Sequence, residues 1–417
     1  MIKFSNDKAI KIKKILILLL FILDSFIKMK DDEIIVCDNG TGFMKLGFAG
    51  EDFPRCVFPT LMGHPMLRTN EKVEGVVLEN DMFGDEAARY RAMLEISHPI
   101  EIGIVKDWEG MEKMWRYGFN KLGITDFKNK RILLTEAAGN PKKNRELMAE
   151  VMLEKFGFQS LCIEPQALLA LYCEARTTGI VLDSGDGVTH MIPVLEGYIN
   201  EHTISRMNIA GRHITNYLIK LLLLRGYAFN SSADFETVRE IKERLCFVTI
   251  NLEADRKLAR ETTYYDTDYL LPDGNMIKVG RERFEAAECI FNPSLIDSEV
   301  EGVVGTIVNC IESCPVDYKR ELYANLILSG GTTMFPGFPT RVKNDIKDYF
   351  KQQIKMNKRA DTDKYTIKIL DPPRRKQAVF IGGSVCAYTF KENEEVWVTL
   401  EKFKANPQCV HNIIGTV

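Results

Sequence analysis

Two aspartates carry the first chemical signal. Asp38 ends the apolar run of EIIVCDNGTG (Glu33–Gly42), and Asp183 ends that of GIVLDSGDGV (Gly179–Val188). Each then meets a D-x-G-x-G turn and a second β-prone run, the pattern of strand, tight turn, strand. Glycine lets backbone N–H groups approach a ligand closely, and successive amides in a turn form a concave anion site. One such turn alone is most simply a plain hairpin. Two copies, each behind an apolar strand, suggest duplicated halves that face each other and grip one polyphosphate and its divalent metal.

Other residues could join this chemistry or be structural. Lys45, three residues past Gly42, is either a solvated strand lysine or a mobile positive charge for phosphate oxygens. Gln166 follows Pro165 in the first turn of a helix, where glutamine is ordinarily a polar end residue; aimed into a cleft, its amide could orient a water. His190 follows Gly187 by three and is either a satisfied structural histidine or a proton carrier near phosphate. Arg239, Lys242 and Glu243 share a helix face at i, i+3, i+4 spacing, which by default is a solvated, mutually paired face. Met334 and Phe335, just beyond a Gly-Gly turn, could cover a flat base or belong to the core.

The elements that must position these groups follow from pattern. Arg131–Thr135 reads as a strand leading to a helix that starts at Asn140–Pro141 and stops at Gly157. Pro165 opens another helix. Ile214–Leu224 reads as a buried helix ending near Gly226. Asp234 is the expected cap of a helix bearing Phe235, Val238, Ile241 and Leu245 on one face. Pro272-Asp273-Gly274 is a hairpin turn. Leu326–Gly337 is a strand running into glycines, and Ile381-Gly382-Gly383 closes the set of glycine turns. Residues 60–98 show little periodicity and suit a small, mobile outer lobe.

The chain's 417 residues suffice for two or more domains with full cores. A net charge of −3 gives no general electrostatic reason to expect nucleic-acid binding. The ten cysteines include no C-x-x-C pair and read as reduced, mostly buried thiols of a cytosolic protein rather than a metal cluster. Lys3, Lys8, Lys11, Lys13 and Lys14 precede the apolar run Ile15–Leu23, which has the outline of a signal peptide but no small-residue cleavage site. The run is too short to span a bilayer. We read 1–28 as an extension ahead of a start at Met29, with a signal or anchor as the alternative.

Taken together, DNGTG, TEAAGNPKKNRE, DSGDGVTH, VREIKERLC, YANLILSGGTTMFPG and DPPRRKQAVFIGGS resemble the nucleotide-binding segments of the actin superfamily, in order and approximate spacing. The resemblance runs over nearly all of Asp31 to about Gly415. It implies an α/β protein with a duplicated actin-like ATPase fold, two ribonuclease H-like lobes around a nucleotide cleft. The first lobe would comprise 29–173 and 378–417, with an outer subdomain at 60–98. The second would be 174–377, with an outer subdomain at about 210–298.

It also implies roles, position by position. Asp38 and Asp183 hold Mg²⁺ or Ca²⁺, largely through water. Backbone amides of Gly40, Thr41, Gly42, Gly185, Asp186 and Gly187 cradle the phosphates of ATP or ADP, with the Thr41 hydroxyl and Lys45 assisting. Gln166 and His190, beside Asp183, organise the attacking water. Arg239, Lys242 and Glu243 flank the nucleoside, and Gly331, Met334, Phe335 and Lys376 close the base pocket. Phosphoryl transfer to water needs positioning and charge neutralisation more than a covalent nucleophile; slow hydrolysis would suit a conformational switch, and whether the chain is an enzyme stays open.

Within the superfamily, IKLLLLRGYAFNSSADFETVREIKERLC, LPDGNMIKVGRERFEA and DPPRRK are more similar to an actin-related subunit of the branch-nucleating complex than to conventional actin. That implies actin-related protein 3 and other complex subunits, actin filaments and nucleation-promoting factors as partners, in the cytoplasm and cytoskeleton, without nucleic acid or stable membrane insertion. The alternative is a conventional actin or another filament-forming relative; a small-molecule kinase on the same duplicated fold is a more distant one. Departures from the actin pattern are Ile102 in PIEIG, where actin carries histidine, CIEPQ at Cys162–Gln166, and the non-actin-like Arg68–Met82. The first two bear on hydrolysis and phosphate release, and the third on self-polymerisation.

Overall fold

The structure, a computed structural model, describes residues 31–65, 81–355 and 365–411. The extension 1–28 and most of Arg68–Met82 lie outside them.

Twelve strands build two sheets. In chain order they are β1 (Asp31–Asn39), β2 (Phe43–Ala49), β3 (Cys56–Pro59), β4 (Arg131–Glu136), β5 (Ser160–Pro165), β6 (Gly179–Ser184), β7 (Thr189–Leu195), β8 (Tyr198–Ile199), β9 (Ser205–Met207), β10 (Leu326–Ser329), β11 (Ile369–Leu370) and β12 (Val398–Thr399). The first sheet runs β12-β5-β4-β1-β2-β3; the second runs β8-β7-β6-β10-β11, with β9 also on β7. Each has an antiparallel hairpin at its heart, β1–β2 and β6–β7, whose first strand pairs in parallel with a strand from later in the chain, β4 and β10. The duplication expected from the two aspartate turns is therefore present in strand order and direction.

Register extends the equivalence to single residues. Asp38 pairs with Lys45 across the first hairpin, and Asp183 with His190 across the second. The central strands are apolar on both faces, as strands covered on both sides must be: Ile34, Ile35, Val36 and Cys37 are fully buried, as are Val181 and Leu182.

Two helices join the sheets, α1 (Gln166–Cys173) and, near the C-terminus, Ala378–Thr389. Both are apolar nearly all round, the mark of a helix buried on every side. One core cluster unites Val36 of the first sheet, Val181 and Ile192 of the second, Leu168 and Leu169 of α1, and Phe380. Ile381-Gly382-Gly383 thus lies inside a helix and forms no turn. Its glycine serves helix packing, because a Cβ on Gly382 would sit 1.8 Å from the Leu169 carbonyl oxygen.

Two further helices shape the second lobe, α2 (Gly211–Leu224) and α3 (Ser232–Leu245), and Ala378–Thr389 completes the set as α4. The cap of α3 is Ser231, whose side chain accepts from the Asp234 N–H; Asp234 sits three residues in and accepts from the Asn230 and Ser231 N–H groups. The expected cap is thus displaced, since Ser231 and Asp234 form a reciprocal capping box. The helix after Pro141 spans Lys142–Glu150 and continues as a π turn to Phe156, with Gly157 left-handed at φ 79° as its stop. Within 60–98, short strands at Met62–Pro65, Met82–Phe83 and Leu94–Ser97 form a small sheet. All ten cysteines are free thiols, and eight of them are buried.

Candidate nucleotide cleft

The two hairpin turns meet tip to tip. A Cβ on Gly42 would lie 2.8 Å from Asp186 Cβ, and one on Gly187 would lie 2.9 Å from Thr41 Cγ2. Only glycine permits this approach, so the facing arrangement expected from sequence is built into the residue types. Between and beside the turns opens a cavity of about 330 Å³, within the range of small-molecule sites. Its lining includes every residue that sequence reasoning placed in the site except His190, drawn from both lobes.

Asp38 is 2% exposed, and both of its oxygens accept hydrogen bonds. Its Oδ2 accepts from Lys45 Nζ at 2.6 Å; its Oδ1 accepts from Thr135 Oγ1 at 2.8 Å and from Gln166 Nε2 at 3.3 Å. Lys45 thus acts first as the counter-charge of a buried carboxylate. Gln166, at the start of α1, also donates to the Asn39 carbonyl. Asn39 is held in turn by Thr135 and by the Trp115 indole N–H at 3.0 Å.

The second aspartate lacks such a partner in register, because His190 stands where Lys45 stands in the first hairpin. Removal from water raises the Asp183 pKa, the neighbouring Ser329 hydroxyl opposes this, and the charge of Asp38 raises it further. Two carboxylates of unequal compensation therefore converge at one wall. His190 is 2% exposed, stands opposite Asp183 on the neighbouring strand and does not line the cavity. Burial, with help from Arg206, holds its pKa down at about 4, so the ring is neutral at physiological pH. Its Nε2 is a buried nitrogen without a protein partner, a situation that calls for a ligand or a water.

The glycine turn of the second hairpin is braced from behind. Arg212 pairs with Asp186 at 3.1 Å, and its N–H donates to the Asp186 carbonyl at 2.8 Å. Gly211 N–H and Thr332 Oγ1 both donate to the Gly185 carbonyl, at 3.1 and 2.6 Å. Lys242 is buried, its Nζ donating to the Gly211 carbonyl at 2.9 Å, and burial lowers its pKa. Arg239 bridges Glu236 and Glu243 at 2.7 and 2.8 Å, so Arg239 and Glu243 pair as the default reading expects, whereas Lys242 is buried on the Gly211 carbonyl rather than solvated; all three line the cavity. Gly331, Met334, Phe335 and Lys376 complete the lining.

Thr135, Arg212, Thr332 and Phe43 were missed by sequence reasoning. Thr135 could have been found as the last polar residue of an apolar strand aligned with Asp38; the others signal themselves only through tertiary contact. Among the departures, Ile102 holds a left-handed φ of 50°, uncommon for a β-branched residue. Its carbonyl accepts from Arg206 at 3.0 Å, and its Cα lies against Gly187. Cys162 is buried with its thiol donating to Glu164.

The lining presents to the cavity two glycine turns, two carboxylates and the apolar side chains of Met334 and Phe335. Among the described residues, no helix is long and apolar enough to cross a membrane. The family described as Actin matches residues 29–412. The chain is 48% identical to actin-related protein 2 of Acanthamoeba castellanii over 372 residues, which is 89% of this chain and 96% of the relative. It is 48% identical to actin-related protein 2 of Drosophila melanogaster, covering 90% and 96%, and 47% identical to that of Saccharomyces cerevisiae, covering 89% and 95%.

Proposed function

This chain belongs to the actin family, and we propose that it is the ATP-binding subunit of a complex that nucleates actin branches. There it would stand in for an actin subunit at the root of a daughter filament. The observation that carries the reading is likeness to actin-related protein 2 along almost the whole length of both chains, in three organisms. The cleft supplies the nucleotide half of the proposal. Members of the family bind ATP or ADP with a divalent metal, and these residues fit that ligand: two converging carboxylates, two facing glycine turns and an apolar wall.

In this reading Asp183 and Asp38 hold Mg²⁺ or Ca²⁺, which when bound neutralises phosphate charge. Amides of Gly40, Thr41, Gly42, Gly185, Asp186 and Gly187 bind the phosphates, with Lys45 shared between Asp38 and phosphate oxygen. Gln166 orients a water through its amide, and neutral His190, opposite Asp183, accepts a hydrogen bond. Arg239, Lys242, Glu243, Gly331, Met334, Phe335 and Lys376 hold the nucleoside. Because the lining is drawn from both lobes, a bound nucleotide favours their closed arrangement, and closure governs assembly. Partners in this reading are actin-related protein 3, the remaining complex subunits, actin filaments and nucleation-promoting factors, all in the cytoplasm and its cytoskeleton.

The test is a mild pull-down of tagged protein from its own cells, with mass spectrometry of what accompanies it. A second actin-related protein with a fixed set of small subunits is the expected result. Purified protein that pellets alone as homopolymer with ATP and salt overturns it in favour of a filament former.

A further inference from the structure

We propose that Phe43 is a positioning residue for the nucleoside end of the cleft, an aromatic clasp that orients two cations from separate elements. The proposal rests on the nucleotide reading above and adds a residue to it. Phe43 opens β2 directly after Gly42, and its ring lines the cavity. The Arg239 guanidinium lies over the ring at 5.1 Å from its centroid, and the Lys376 ammonium at 5.3 Å. Both fall within the roughly 6 Å over which a ring quadrupole attracts a cation.

Arg239 arrives from α3, and Lys376 from the turn that leads into α4. No strand pairing ties these elements together. Their two positive groups meet only at the ring and at Glu243, which lies 2.8 Å from Arg239 and 3.8 Å from Lys376. The ring and Glu243 each contact both cations and so compensate both charges. The duplication supplies an internal comparison. Phe43 stands five residues past Asp38, and the residue five past Asp183 is Val188, which also lines the cavity. The hairpin does not need a ring at this position. The ring is peculiar to the half that faces Arg239 and Lys376.

The consequence is selective. Loss of the ring should loosen the cations at the nucleoside end while leaving the glycine turns intact. We therefore compare Mg–ATP with Mg–tripolyphosphate, which shares the phosphates and lacks the nucleoside. Binding is measured by displacement of a fluorescent ATP analogue, on the full chain in the assembly in which it purifies. Phe43→Met keeps volume without the quadrupole and should weaken ATP roughly 5- to 30-fold, the loss of two such contacts. Tripolyphosphate should change by less than about twofold. Phe43→Trp should retain ATP affinity. Phe53→Leu, which removes a cation–ring contact with Arg374 outside the cavity, should leave both ligands unchanged.

Phe43→Met that binds ATP like the unaltered protein overturns the proposal. So does a variant that weakens both ligands alike, since Phe43 would then only shape the turn. An unaltered protein that does not prefer ATP to tripolyphosphate overturns the nucleoside end itself, and the clasp with it.

Discussion

Gly185→Ala separates a glycine kept for the ligand from one kept for the fold. A Cβ built on Gly185 has no protein atom nearer than the Val188 carbonyl oxygen at 4.0 Å. Gly185 lines the cavity and its backbone is not in the left-handed region, so the added methyl enters open space in the cleft at no cost to the free protein. Gly→Ala at a compatible site stabilises by about 0.4–1 kcal/mol through the unfolded chain. The melting temperature without ligand should hold or rise slightly. Binding should not hold. The methyl occupies the approach to the Gly185 amide, and a hydrogen bond to a charged group is worth about 1.5–3 kcal/mol, or roughly 10- to 150-fold in affinity.

The assay is thermal unfolding with and without Mg–ATP, beside a direct Kd. At about 100 times Kd, ligand stabilises the unaltered protein by roughly 2.7 kcal/mol, and a hundredfold loss of affinity leaves about 0.4 kcal/mol. Gly42→Ala and Gly187→Ala form the contrast. Their Cβ atoms collide with Asp186 and Thr41 of the opposing turns, so they should lose about 1–3 kcal/mol of stability even without ligand. If Gly185→Ala binds ATP as the unaltered protein does, the turn is a hairpin and not a phosphate cradle, and the central inference fails.

Three further outcomes follow from the unequal aspartates. Lys45→Met strands the buried Asp38 carboxylate and should cost about 3–5 kcal/mol in denaturant titration; Asp38→Asn in the same chain should restore most of it, whereas simple additivity would deny the pairing. Asp183 has its folded pKa raised, so its ionised form opposes folding and that loss sets in as pH rises through the folded pKa. Asp183→Asn should therefore raise the melting temperature in chelator at pH 7–8 and abolish the gain on adding Mg²⁺; an undiminished gain would place the ion elsewhere. His190 has a folded pKa of about 4 against 6.5 unfolded, so the unfolded chain takes up the proton first. Stability should fall as pH drops through that window, and His190→Gln should flatten this component; a histidine NMR titration near 6.5 would contradict the burial.

What was legible in the chain was what local backbone chemistry determines. The two aspartate hairpins could be read because apolar runs, glycine spacing and turn preference all lie within ten residues of one another. Their duplication could be read because the unit repeats. The same locality explains the errors. Asp234 reads as a cap because it precedes an apolar face, yet Ser231 three residues earlier forms the reciprocal pair. Ile381-Gly382-Gly383 reads as a turn because glycine doublets usually are, yet Gly382 answers to the Leu169 carbonyl of a helix more than 200 residues earlier. Arg212 and Thr332 carry no local mark at all, and Thr135 only its place as the last polar residue of an apolar strand. Their importance exists only once β4, α2 and the segment after β10 are brought to the hairpins.

The duplication clarifies why the site is asymmetric. Both hairpins place an aspartate at the end of the first strand and a basic residue type opposite it, Lys45 in one and His190 in the other. Lys45 is the counter-charge of its carboxylate, at 2.6 Å. Histidine in the same register is buried until it is neutral and cannot serve as one. The first half therefore pairs its carboxylate directly, while the second holds a carboxylate only partly compensated, by the Ser329 hydroxyl and the charge of Lys45, and a ring nitrogen without a partner. A divalent cation and an ordered water would relieve both at once. The half that needs them also carries α3 and the residues after β10, which form much of the rest of the cavity wall. Ligand binding must therefore stabilise the second half more than the first, and the closed arrangement of the two more than either alone.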